Sequence, residues 1–121
     1  AVPLSFTPHL LPISRGILST VYATLSEDVS DEMVAAMYHN KYGSEKFVRM
    51  LDNASLPATQ YVRGSNYCDI GFHIDHRTNR ITVMSAIDNI VKGAAGQAVQ
   101  NMNIMTGRNE EEGLAGTPFF P

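Results

Sequence analysis

The sequence has a single cysteine, Cys68, so no internal disulfide can staple the chain. A lone thiol suits a reducing compartment, and a cytoplasmic setting is expected. No apolar run approaches the ~20 residues that a membrane-spanning helix needs, and the segment near residue 90 is broken by Lys92 and several amides. Basic clusters are missing too. The nine Lys and Arg are scattered and the net charge is -3, which argues against a nucleic-acid partner. The N-terminus has neither the basic region nor the small-residue cleavage site of a signal peptide. It also lacks an initiator Met and begins inside what reads as a strand, so the expectation is a chain cut from something longer.

What is present is a globular composition. Hydrophobic residues make up 44% and charged residues 17% of 121 positions, enough for one core rather than a disordered coil. Residues 2 to 10 read as a strand interrupted by Pro8, which can only sit at an edge or a bulge because it donates nothing to a ladder. Residues 17 to 25 read as a second strand, rich in β-branched Ile17, Thr20, Val21 and Thr24. Ser30 is placed to cap a helix whose first turn carries Asp31 and Glu32, where negative charge meets the positive end of the dipole. Its apolar stripe would be Met33, Val34, Met37, Tyr38 and Tyr42, its end Gly43.

Short strands are expected at 47–51, before a turn at 52–55, and at 59–63. Cys68, Ile70, Phe72 and Ile74 then alternate with Asp69, Gly71, His73 and Asp75, a period of two that marks a strand with one apolar face. His76, Arg77, Thr78 and Asn79 make the turn of a hairpin whose return strand runs from 80 to 87. Asp88 can cap a last helix over 89–105, with a stripe of Val91, Ala95, Ala98, Met102 and Met105, and a loop tail follows Gly107. Consecutive strands with few helices between them predict an α+β fold: a mostly antiparallel mixed sheet with helices on one side.

Several residues invite a chemical reading, each beside a plainer one. Cys68 alternates with Ile70, Phe72 and Ile74, so it is expected on the apolar face, where burial keeps a thiol protonated and inert. His39 falls off its helix stripe and is read as solvated. His73 and His76 flank a hairpin tip and make a poor metal site. Arg15 stands between Ser14 and Gly16, so both guanidinium and backbone can approach an anion, although a surface salt bridge would use it equally well. Arg63, Gly64, Ser65 and Asn66 suit a binding loop or an ordinary turn. Gly93 and Gly96 cost about 1 kcal/mol each against alanine inside a helix, so something must come close there, a ligand or another backbone. Gln97, Gln100, Asn101 and Asn103 make the same helix unusually polar, as a surface meeting another domain would be.

Three stretches resemble one family. They are Phe6, Thr7, Pro8, His9 and Leu10 with Ser14, Arg15, Gly16, Ile17 and Leu18; the run from Val62 through Arg63, Gly64, Ser65, Asn66 and Tyr67 to Asp69; and Ser-Ala-Ile-Asp-Asn-Ile-Val-Lys-Gly-Ala-Ala-Gly-Gln-Ala-Val-Gln-Asn-Met-Asn at 85–103. In this order they resemble the later part of N-acetyl-gamma-glutamyl-phosphate reductases. The sister aspartate-semialdehyde dehydrogenases are a weaker third choice, because the stretch from Ile87 to Asn103 does not look like theirs.

The resemblance implies an arginine-biosynthesis enzyme that reduces an acyl phosphate, N-acetyl-gamma-glutamyl phosphate, to an aldehyde with NADPH. It also implies a substrate domain like that of glyceraldehyde-phosphate and aspartate-semialdehyde dehydrogenases. The family's nucleophile lies in a Gly-Cys-Tyr-Pro-Thr type motif and its histidine in a His-Arg-His-x-Pro-Glu type stretch. Neither occurs here, nor does a Gly-x-Gly-x-x-Gly loop, so no catalytic residue is assigned and the chain alone is expected to be inactive.

On this reading residues 1–87 form a partial substrate and oligomerisation domain, and 88–107 a helix that packs on an absent NADP-binding domain. Residues 108–121 are a tail. Arg15, His9 and Asn66 become substrate candidates, and Asn89, Lys92, Gly93 and Gly96 cofactor candidates. A helix shaped for a missing partner should leave an apolar stripe bare, which predicts a homo-oligomer. A stand-alone ligand-binding or assembly module of the same ancestry is the rival reading.

Overall fold

Hydrophobic periodicity and caps set the elements, and the computed structural model describes residues 3–52 and 55–119. Val2 of the first expected strand, Asn53 and Ala54 of the turn, and Phe120 and Pro121 of the tail lie outside the described residues. Strand β1 is Ile17–Thr24, helix α1 Asp31–Tyr42, β2 Val48–Met50, β3 Cys68–Asp75 and β4 Arg80–Ile87. Helix α2, Gly96–Met105, continues a π-helical turn at Val91–Ala95. The sheet order is β1-β4-β3-β2. β4 pairs antiparallel with both β1 and β3, while β2 runs parallel to β3. This is the expected mostly antiparallel mixed sheet.

The hairpin forms where the alternation placed it. Phe72 lies opposite Val83 and Ile74 opposite Ile81. Arg77 N–H donates to the Asp75 carboxylate at 3.0 Å, and Asn79 supplies the left-handed residue of the turn at φ 52°. Ile74 and Ile81 form the buried core with Val34 of α1, flanked by Leu25, Val29, Tyr38, Phe72 and Val83. Tyr38 stacks on Phe72 with ring centroids 5.9 Å apart. Ser30 caps α1 through a bond from Met33 N–H at 3.3 Å.

Four expectations change. Residues 3–10 carry no strand and are exposed, because Pro3 and Pro8 withhold donors and no described strand edge takes the segment up. The segment expected as a strand at 59–63 is a short 3-10 turn, Thr59–Tyr61, which swings Val62 fully into the interior. Only a narrow strip of α1 is covered: Val34 is buried, while Met33 and Met37 stay exposed, because the helix meets the sheet along one row of positions four apart. Strand β3 is covered on both faces at its start rather than on one. Asp69 is buried in a paired-donor contact with Arg49, and Gly71 lies 3.1 Å, from an ideal Cβ position, from Pro57.

Strand β1 is the least covered element. Ile17, Leu18, Val21 and Tyr22 are all exposed, and among the described residues no strand pairs with its outer edge.

Truncating the core should be costly where truncating the exposed stripe is not. Ile74→Ala should lower unfolding free energy by about 2–5 kcal/mol, and Met37→Ala by less than about 0.5 kcal/mol, read by chemical denaturation of the folded protein.

Candidate functional site

Where β4 ends, the chain enters its last helix through Asp88, whose side chain is fully buried. One carboxylate oxygen accepts Arg15 Nε–H and Gly64 N–H, each at 2.7 Å. The other accepts Ile90 N–H and Val91 N–H, each at 2.8 Å, which is the helix cap the sequence suggested. The next residue acts in the same sense: Asn89 Oδ1 accepts Gly16 N–H at 2.8 Å. Two consecutive residues thus hold the Arg15, Gly16 turn, the Gly64 turn and the helix start together. Burial alone would raise the Asp88 pKa, but the Arg15 guanidinium and the Gly64, Val91 and Ile90 amides overcome it and hold the carboxyl down at about 2.

Arg15 and Asn89 are therefore brought together. Arg15 is a third exposed, and among the described residues no acceptor takes its two terminal nitrogens. His9 is not part of this group. It is exposed, with Nδ1 3.2 Å from the Thr7 carbonyl.

Asn66 belongs to a second cluster behind the first. It is 1% exposed, and its Nδ2 donates to Gln100 Oε1 at 2.9 Å, so its side chain faces the helix rather than a surface. Lys92 Nζ donates to the same oxygen at 2.6 Å and lies 5.5 Å from the Phe47 ring centroid. Gln100 Nε2 donates to Glu110, and Asn103 Nδ2 donates to the carbonyls of Glu110 and Glu112. Gln100 and Asn103 are thus turned inward, onto Asn66, Lys92 and this chain's own tail, whereas Gln97 and Asn101 keep to the open side as the amide-rich sequence suggested, Gln97 Nε2 donating to Asn101 Oδ1 at 2.9 Å. The helix's apolar stripe faces out: Ala95, Ala98, Met102 and Met105 are exposed.

The two helix glycines also part company. The π-helical turn carries bonds five residues apart, from Gly93 N–H to Asp88 O and from Ala95 N–H to Ile90 O, both 2.8 Å. That wider turn rotates Gly93 to the exposed side and Gly96 to the buried side. A Cβ at Gly96 would sit 2.5 Å from Asn66 Oδ1 and 2.8 Å from Val91 O, so the close neighbour the glycine requires comes from within this chain. Asn66 Oδ1 itself finds no donor among the described residues.

Cys68 is half-buried, and burial pushes its thiol pKa up. It does have a cationic neighbour: Lys92 pulls the thiol the other way, without prevailing. Lys92 is in turn pushed down by burial, against the opposing pull of Cys68, Glu110 and Glu45. A thiol in this state is not an activated nucleophile. Among the described residues no three His, Cys, Asp or Glu side chains gather as a metal site would require.

The sequence marks Asp88 as a cap but carries no sign of its pairing with Arg15, 73 positions away, nor of the Gln100 and Glu110 contacts. The one available signal was a buried-strand alternation running directly into an acidic residue, which demands a partner for the charge.

A family profile described as semialdehyde dehydrogenase, dimerisation domain, matches residues 1–89. The chain is 67% identical over 118 residues to the N-acetyl-gamma-glutamyl-phosphate reductase of Desulfotalea psychrophila, covering 98% of the chain and 34% of that protein. It is 57% identical over 120 residues to the reductase of the same name from Pelobacter propionicus, covering 99% and 35%. The crystal structure of aspartate semialdehyde dehydrogenase II complexed with ASA, from Vibrio cholerae, superposes with a TM-score of 0.62 at 21% identity. It covers 79% of this chain and 28% of that one, a likeness of fold alone. The chain spans about a third of the length of the relatives it matches. Among the described residues, no helix is long and apolar enough to cross a membrane.

Two measurements check this geometry. A carboxyl held at about 2 contributes stability that is present above its unfolded pKa near 3.8 and lost as pH falls through 2. Asp88→Asn should therefore be less stable than the unaltered protein by about 2 kcal/mol near neutral pH, with the gap narrowing between about pH 4 and pH 2 in denaturation curves. Gly96→Ala should cost about 1–3 kcal/mol in thermal or chemical unfolding, because its methyl meets backbone and a buried amide.

Proposed function

The chain belongs to the semialdehyde dehydrogenase dimerisation-domain family, and we propose that it is the C-terminal, substrate-side part of an NADPH-dependent N-acetyl-gamma-glutamyl-phosphate reductase acting in arginine biosynthesis in the cytoplasm. The observation that carries the reading is 67% identity over nearly the whole chain to a reductase of that name. The overall reaction replaces phosphate by hydride at an acyl carbon. When bound, NADPH supplies that hydride. The nucleophilic thiolate and the proton-transferring histidine belong to sequence motifs this chain does not contain, and Cys68 is too buried and too basic a thiol to stand in.

The chain's own part is binding and orientation. The substrate carries a carboxylate and an acyl phosphate, and Arg15 offers a guanidinium edge suited to such an anion. Asn66 supports the site from behind, since its side chain is engaged with Gln100. His9 rests on the resemblance alone, for no described contact ties it to Arg15. Toward NADP, the residues fit in part. Asn89 uses its oxygen on Gly16 and has no described acceptor for its amide N–H groups, and Gly93 is exposed beside it. Both suit the approach of a nicotinamide. Lys92 and Gly96 instead hold the helix in place, the one committed to Gln100 and the other packed by Asn66.

Two bare surfaces suit partners. The exposed stripe of α2 suits the NADP-binding domain, and the uncovered apolar β1 suits a second copy of the chain. Residues 1–87, 88–107 and 108–121 then serve as oligomerising body, docking helix and tail.

The test is the full-length protein assayed for phosphate-dependent reduction of NADP by N-acetylglutamate semialdehyde, the reverse reaction. Activity with that aldehyde supports the reading, and activity confined to aspartate semialdehyde would overturn it. The isolated 121-residue chain should show none, and should sediment as a dimer or larger species. A monomer across a hundredfold concentration range would count against the two bare surfaces as contacts.

A further inference from the structure

Asp88 is buried in full, yet every acceptor position it has is spent within the chain. Each of its two oxygens takes two donors, which is about the capacity of a carboxylate. It therefore has nothing left for a ligand. What it does have is a grip on one edge of Arg15. The contact is made through Nε, at 2.7 Å, rather than through the pair of terminal nitrogens. A guanidinium is planar and rigid, so fixing Nε fixes the direction of the opposite edge. That edge, the one geometrically matched to two oxygens of a phosphate or carboxylate, has no acceptor among the described residues, and the side chain is a third exposed.

The neighbouring backbone is held as well. Asn89 takes Gly16 N–H, so the residue after Arg15 cannot swing. Gly64 N–H shares the very oxygen that Arg15 uses, which ties the second glycine turn to the same point. An arginine kept only for a structural ion pair would gain more from a two-bond fork, as Arg49 makes with Asp69 at 2.6 and 2.9 Å in this same chain. The contrast between the two pairs separates their uses.

We propose that Asp88 is a positioning residue for substrate recognition: by holding Arg15 at Nε, it aims the guanidinium's terminal edge at an anionic group of the acyl phosphate substrate. This rests on the reductase reading above. Asp88 touches no substrate and acts only through Arg15.

The experiment is a double-mutant cycle in the full-length enzyme, followed by steady-state kinetics. Asp88→Asn keeps an oxygen for the helix amides but loses the charge that grips Arg15. It should raise KM for the acyl phosphate, or for the aldehyde and phosphate in reverse, about tenfold, with kcat within about threefold and KM for the nicotinamide cofactor unchanged. Arg15→Ala should do the same or more, and the double variant should be no worse than Arg15→Ala alone, because both remove one interaction. Multiplying effects in the double variant would overturn the proposal, as would a uniform loss in kcat and in both KM values.

Should Asp88→Asn fail to fold, Arg15→Lys decides. A single ammonium can meet Asp88 or the substrate but not both, so KM should rise toward the Arg15→Ala value, and an unaltered KM would refute the aiming role. An unaltered enzyme with no acyl phosphate activity would sink the reductase reading and this inference with it. An active enzyme with multiplying variants would sink this inference alone.

Discussion

A buried carboxylate must be answered, and in this chain the answer organises the molecule. Asp88 sits at the junction of sheet and last helix, where removal from water would otherwise favour its neutral form. Four donors from three separate segments converge on it: a guanidinium ahead of β1, a glycine amide ahead of β3, and two amides of the helix start. Each segment alone is irregular backbone that a sheet cannot hold. The charge at their meeting point turns three loose ends into one fixed corner, and the candidate site lies at that corner.

The last helix follows from the same constraint. Its first turn is set by the Asp88 cap, and the π-helical turn beyond it carries Gly93 outward and Gly96 inward. Gly96 then admits the Asn66 side chain, and Gln100 ties Asn66, Lys92 and Glu110 into one connected set. The helix consequently buries Gln100 and Asn103 while Met102, Ile104 and Met105 stay exposed, the reverse of a helix whose apolar side is packed on its own core.

Local signals in the sequence suffice wherever period and cap agree. The hairpin, the Ser30 cap and the Asp88 cap all stand where alternation and side-chain chemistry put them. Residues 3–10 of the first expected strand and the segment at 59–63 form no strand, for a common reason. Both are short stretches whose state depends on whether a neighbouring strand takes them up, and no local pattern carries that information. The candidate site shows the same division. Arg15, Asn89 and the helix glycines were visible as unusual residues, but their partners were not.

By itself the sequence determined the class of fold, the hairpin register and the residue types able to meet an anion, because these follow from side-chain period and from donor chemistry. Its three family-like stretches also pointed to the relatives. Only the tertiary structure decided that Arg15 meets Asp88 across 73 positions, that Asn66 turns inward, and that Gly93 and Gly96 face opposite ways. Those outcomes depend on where a buried charge finds its donors in space, and on a helical turn one residue wider than the regular one. Neither leaves a periodic trace along the chain.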